Sequence, residues 1–181
     1  RFTMLETLRE YALECLRAAG EEEQTRRQHA IYYAERAQAA APHGPAQSTR
    51  DAELAKDFSN ARAALHWAVE QREIVLGLKL AAHFGRLWFM HGQIREAYAW
   101  LEQMLSLDAG AGEQAVPLSL RITVLYGAGR MAISLGKGER ATELAQEVLH
   151  LAERSGDHAS ISRALANLGS LAQARGDREQ A

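Results

Sequence analysis

The sequence predicts an all-α fold of antiparallel helix pairs stacked into an array. Three observations carry that prediction. Helix formers (Ala, Leu, Glu, Gln, Arg) abound, and only three prolines occur in 181 residues. Apolar residues recur at three- and four-residue spacing, and no segment alternates long enough to be a strand, residues 1–4 being the one weak candidate. The chain also repeats itself. "FGRLWFMHGQIREA", "AGRMAISLGKGERA" and "LGSLAQARGDREQA" each hold a glycine, a second glycine seven residues on, and an alanine five after that.

The elements follow in chain order. "MLETLREYALECLRAAG" is a helix with Leu5, Leu8, Ala12, Cys15 and Leu16 on one face and Gly20 as its stop. On that face Cys15 is expected to be a small buried thiol. "EEEQTRRQHAIYYAERAQAAA" starts on three glutamates, which suit a helix N-terminus, and places Ala30, Tyr33, Ala34 and Ala37 together. "PHGPAQS", residues 42–48, divides a hairpin over 1–41 from the remainder, 48–181. Thr49 to Arg72 is helical, bent near Asp57, with Leu54, Phe58, Ala61, Leu65, Ala68 and Val69 inward. Helix pairs follow at about 74–91 with 93–107 and 116–135 with 138–154, then one helix at 158–175 whose partner begins at Asp177.

The repeat register is Gly85, Gly92, Ala97; Gly129, Gly136, Ala141; and Gly169, Gly176, Ala181, with offsets of 44 and 40 residues. The first glycine of each triplet is expected inside a first helix (A), where the missing side chain admits a neighbour. The second is expected to end that helix in the left-handed region. The alanine lies early in the second helix (B), where bulk would force the pair apart. Leu101, Met104 and Leu105 continue the buried face of one B helix; Leu144, Val148 and Leu149 continue the next. Trp88 falls at the packing position between helices.

This spacing resembles the tetratricopeptide repeat, although its usual period is about 34 residues. The added residues fall between repeats, which are bounded near 78–111, 122–155 and a truncated 162–181. The resemblance implies a right-handed α-solenoid. "RFTMLETLREYALECL" resembles the segment that joins a nucleotide-binding module to a helical repeat domain in signal-transducing ATPases with numerous domains. That group includes the LuxR-type and antibiotic-regulatory-type activators of the NB-ARC/AP-ATPase-like class. "DFSNARAALHWAVEQRE" resembles the helix that follows there, through Asn60, Arg62, Ala63, Ala64, Leu65 and Trp67. In that family the ATPase and DNA-binding domains lie outside such a region. The resemblance implies a non-catalytic sensing and regulatory module of a transcriptional regulator. The chain begins at Arg1 and stops after "GDREQA", so it is expected to be a fragment of a larger protein.

Charge and motifs narrow the function further. Lys and Arg number 21 against 23 Asp and Glu, a net charge of −2, without the basic excess of a dedicated nucleic-acid binder. Direct nucleic-acid binding is therefore not expected. Cys15 is the only cysteine, so neither an intrachain disulfide nor a cysteine metal cluster is expected. No apolar run nears the roughly 18 residues of a membrane helix, and no signal peptide opens the chain. A cytoplasmic setting is expected.

No "GxxxxGK[ST]" occurs; "GKGER" at Gly136 lacks the first glycine and the hydroxyl. The seven histidines form no "HExxH", and pairs such as His66 with Glu70 fall short of the three or four ligands that zinc needs. No "GxSxG" is present. Catalytic, cofactor and metal residues are therefore not expected.

The tetratricopeptide pattern, carried across residue by residue, puts Lys79, Arg86, Phe89 and Met90 on the concave face of the first A helix. Tyr126, Arg130 and Ile133 follow on the second, and Arg163, Ser170 and Gln173 on the third. Lys79, Arg86, Arg130 and Arg163 then form a basic stripe suited to an acidic peptide or a carboxylate. The alternative is that these arginines pair with local glutamates or meet another domain of the parent protein. The expected partner is a protein, a peptide, or the adjacent ATPase domain of the same chain. A free-standing adaptor binding acidic peptide tails is the second reading.

Overall fold

The computed structural model describes residues 5–40, 47–110 and 116–176. Among them every regular element is an α-helix: α1 (Glu6–Ala19), α2 (Glu22–Ala39), α3 (Gln47–Ala55), α4 (Phe58–Glu70), α5 (Ile74–Met90), α6 (Ile94–Ala109), α7 (Leu118–Ser134), α8 (Gly138–Ser155) and α9 (His158–Arg175). The weak strand candidate at 1–4, the "PHGPA" break and the partner helix from Asp177, with Ala181, lie outside the described residues.

The helices pack as an array with one recurring rule. Each A helix contacts its own B helix and the next A helix, and each B helix contacts the next A helix. The sequence α5, α6, α7, α8, α9 obeys it, with α5, α7 and α9 as A helices. The rule also holds one unit earlier, because α2 contacts α4 and α5 in the same way. Arg36 near the end of α2 pairs with Asp57 at the start of α4 at 2.9 Å, and Trp67 Nε1 reaches Glu23 at 3.4 Å, so α2 and α4 run antiparallel. The chain thus folds as tetratricopeptide-like helix pairs, with the short α3 inserted between α2 and α4. The break near Asp57 separates α3 from α4 as expected.

The core runs unbroken along this array. Leu65, Leu78, Phe84, Trp88, Leu101, Met104, Leu125 and Leu144 are all buried in it. Ala97 and Ala141, the register alanines, are 0% and 1% exposed, so the B helices sit directly on their partners. Trp88 is fully buried, against Phe58 at 5.6 Å and Phe84 at 5.9 Å between ring centroids, as the register requires.

Two expectations need correction. The face of α1 is not buried: Leu5, Leu8 and Tyr11 are exposed, and so is Cys15. The apolar spacing was right, but among the described residues α1 lies only lightly against α2, which leaves Ala12 and Leu16 half-buried and the rest of that face open. The first register glycines are also less demanding than expected. A methyl on Gly85 meets Leu101 and Met131 at 3.7 Å, and one on Gly129 meets Leu144 Cβ at 3.6 Å, both ordinary contacts. The crowded glycine is Gly77, where a methyl would run into the thioether end of Met104.

The turn glycines behave as the sequence requires. Gly92, Gly136 and Gly176 have φ of 77°, 70° and 84°. At Gly92 the N–H of Gln93 donates to Trp88 O (2.7 Å) and that of Gly92 to Phe89 O (3.1 Å), the paired closure of a helix C-terminus. Arg72 closes α4 with the same pair, Glu73 N to Ala68 O and Arg72 N to Val69 O, at φ 54°. A side chain there is strained by about 1 kcal/mol. Arg72→Gly is therefore expected to stabilise the chain by up to about 1 kcal/mol, and Gly136→Ala to destabilise it by a similar amount, in urea unfolding.

Candidate functional site

Helices α5 and α7, expected to carry the concave face, lie side by side, and α6 packs against both. Four of the sequence-predicted residues converge there around one cavity of about 190 Å³: Arg86 and Phe89 from α5, Tyr126 and Arg130 from α7. Leu101 of α6 and Met131 form apolar floor, while Ala82 and Gly127 leave room between the two helices. The site is therefore an apolar hollow with two aromatic rings and two guanidinium groups around it.

A lateral ladder ties each helix of this face to the next. Arg86 donates two hydrogen bonds to Asp51 of α3, at 2.6 and 3.1 Å. Arg130 lies over the Phe89 ring at 5.2 Å, and Arg163 lies over the Tyr126 ring at 5.9 Å. Each step sets a cation from one helix on an acceptor of a preceding one.

The expected basic stripe is thereby split. Asp51 is 5% exposed, and the Arg86 guanidinium, then the Gln47 amide at 2.8 Å, hold its carboxyl below the usual carboxylate range. Arg86 is thus matched to a carboxylate of this same chain, a distant aspartate rather than one of the local glutamates weighed as the alternative. Arg130 and Arg163 rest instead on aromatic rings. Asp51 is a site residue that the sequence reading missed: α3 lies outside the glycine register, and nothing in "STRDAEL" signals a partner 35 residues ahead.

The remaining predicted residues stand apart from the cavity. Lys79 is half-buried, with its charge acting on His83. Met90 is 60% exposed, its sulfur accepting from Arg86 at 3.1 Å. Ile133 is half-buried and packs on the core. Ser170 is exposed and donates to Ala166 O at 2.9 Å; Gln173 is exposed one turn further along α9.

Two partly buried histidines, His83 of α5 and His29 of α2, give the chain a pH response. Burial pushes His83 below its usual 6.5, and Arg86 and Lys79 push it further. Burial also lowers His29, which an Asn60 hydrogen bond partly offsets. Folding therefore disfavours protonation of both rings. Their contribution to stability is present above pH 6.5 and is lost as the pH falls through the depressed folded values. The melting temperature is expected to drop between pH 7 and 5.5, a window above the ordinary carboxylate range, and His83→Gln is expected to shrink that drop.

Among the described residues no group of three His, Cys, Asp or Glu side chains is placed to hold a metal ion. His66 and His91 instead meet aromatic rings edge-on, Trp100 at 4.8 Å and Phe58 at 5.5 Å. Among the described residues no helix is long and apolar enough to cross a membrane.

Comparison with known proteins agrees with the sequence reading at a coarser level. No family model matches the chain. A crystal structure of kinesin light chain TPR-like repeats from Podosopora anserina aligns with a TM-score of 0.47 and 19% identity, over 98% of this chain and 92% of that one. In sequence, the chain is 32% identical over 176 residues to proteins from Mycobacterium tuberculosis and Mycobacterium bovis that carry the name HTH-type transcriptional regulator. The match covers 93% of this chain and 20% of theirs, so the chain spans about a fifth of the length of these curated relatives. The chain is a tetratricopeptide-like helical array similar to one stretch of much longer proteins named as transcriptional regulators.

Proposed function

We propose that this chain is the non-catalytic regulatory repeat domain of a multidomain bacterial transcriptional regulator of the signal-transducing ATPase class, LuxR-type or antibiotic-regulatory-type. The carrying observation is its similarity, over nearly its whole length, to a fifth of each of two proteins named as HTH-type regulators. The resemblance of "RFTMLETLREYALECL" to a junction after a nucleotide-binding module supports the same reading. In it, residues 1–41 lead from that module and residues 48–181 supply the repeats, with α2 packing on α4 and α5 at the start of the array, in the cytoplasm.

The working surface is the concave face around Arg86, Phe89, Tyr126 and Arg130, with Lys79, Met90, Ile133, Arg163, Ser170 and Gln173 extending it. Its partner is a protein, a ligand, or the adjacent ATPase domain. A partner that prefers one curvature of the array shifts the population of the neighbouring domain's states, because each repeat contacts mainly its neighbours.

The reading frame that encodes the chain tests this. A "GxxxxGK[ST]" loop upstream of Arg1 is expected, and its absence sinks the proposal. In a binding assay with the neighbouring domain, Arg130→Glu is the cleaner charge reversal. Arg86→Glu sets a carboxylate against Asp51 and disturbs α3 as well.

A further inference from the structure

The cavity between α5 and α7 has an apolar interior, a cation at its rim, and a glycine that packing does not require. We propose that it binds a small organic monocarboxylate, with a compact apolar body inside and the carboxylate on Arg130. The inference rests on the concave face being the working surface, and it adds the chemistry of what that surface takes.

Size sets the class. The cavity, about 190 Å³, falls below the roughly 300–1,000 Å³ of sites for drug-sized ligands, so it suits a single ring or a short chain. Its interior is mostly apolar, with Leu101, Met131 and the Phe89 and Tyr126 rings, and the Thr123 hydroxyl that also lines it already donates to Ser119 O at 2.8 Å.

Gly127 keeps it open. It lies inside α7, where glycine costs about 1 kcal/mol relative to alanine. A methyl on it would meet Leu101 Cδ1 alone, at 3.7 Å, an ordinary contact. Neighbouring helices therefore do not demand a glycine; what it leaves is space in the cavity. Ala82 leaves matching space on α5.

Charge sets the head group. Arg86 is matched by Asp51, and no carboxylate among the described residues pairs with Arg130. The Phe89 ring, 5.2 Å beneath, fixes the Arg130 guanidinium at the rim while its N–H edge stays able to take a carboxylate in the two-bond geometry. One such cation beside one apolar hollow selects a monocarboxylate.

Calorimetric titration of the 181-residue chain with 3-phenylpropanoate and with octanoate tests this. At least one acid is expected to bind one-to-one with Kd below about 1 mM, and 3-phenylpropanamide about tenfold more weakly or not at all. Which acid wins tells a ring from a chain. Gly127→Leu fills the cavity and is expected to abolish binding; Arg130→Gln is expected to weaken it about tenfold. Circular dichroism checks each variant's fold, and Ala82→Leu fills the same space from α5 if Gly127→Leu fails to fold. Neither acid saturating, the amide binding equally well, or binding surviving a folded cavity-filling variant overturns the inference. A phosphate-binding loop upstream of Arg1 together with no acid binding overturns the ligand class and leaves the regulatory reading standing.

Discussion

Trp88→Ala is expected to cost about 3–5 kcal/mol of folding stability, the range for removing a buried tryptophan. Its side chain is fully buried, and it holds Phe58 of α4 and Phe84 of α5 in one aromatic cluster. The loss therefore falls on the joint between the α2–α4 pair and the pair that follows. Urea unfolding by circular dichroism checks it. Trp88→Phe separates packing from polarity. The buried indole N–H has no hydrogen-bond partner, so phenylalanine gives up volume but no bond, and its cost is expected to be well under that of alanine.

Asp108→Ala is expected to destabilise the chain by about 1.5–3 kcal/mol, through the charge-assisted hydrogen bonds it removes from Arg121. Arg121 donates to Asp108 at 2.7 and 2.8 Å, and the two side chains are 13% and 5% exposed. This pair ties the end of α6 to the start of α7, across the join between two repeats. Breaking it takes both charge-assisted hydrogen bonds from the guanidinium, which lines a cavity of about 530 Å³. Replacing both partners, Asp108→Leu with Arg121→Met, is expected to recover most of the loss, because no buried charge then remains. A double-mutant cycle in urea measures the difference. Equal losses in the single and double variants would show that the pair's charge is not what matters there.

How much of this was legible in the sequence depends on what each residue's role requires. Gly92 and Gly136 could be read because a left-handed turn excludes nearly every other residue. Ala97 and Ala141 could be read because bulk there separates two helices. Arg72 could not: it performs the Gly92 task without the residue type that announces it, so the earlier α2–α4 unit stayed hidden, further masked by the α3 insertion. Helix α1 misled in the opposite direction. A three-and-four spacing of apolar residues shows that a face exists, and cannot show whether anything in the same chain covers it.

The site divides along the same line. Register arithmetic brought Arg86, Phe89, Tyr126 and Arg130 to one surface, because position on a repeat fixes direction from the array axis. It could not say which arginine was already matched. That depended on Asp51, in a helix without a repeat partner, and on ring contacts between residues about 40 apart. The basic stripe is better described as a ladder with one rung, Arg86, closed by a carboxylate and two, Arg130 and Arg163, resting on aromatic rings.

ATP turnover by the proposed full-length regulator, compared with its Arg130→Glu variant, tests most directly whether this face controls a neighbouring domain. Turnover, or its response to the regulator's partner, is expected to change by about fivefold or more, the lower bound of ordinary coupling between sites, while helicity stays as in the wild type. Identical turnover and an identical response in a folded variant would contradict the account.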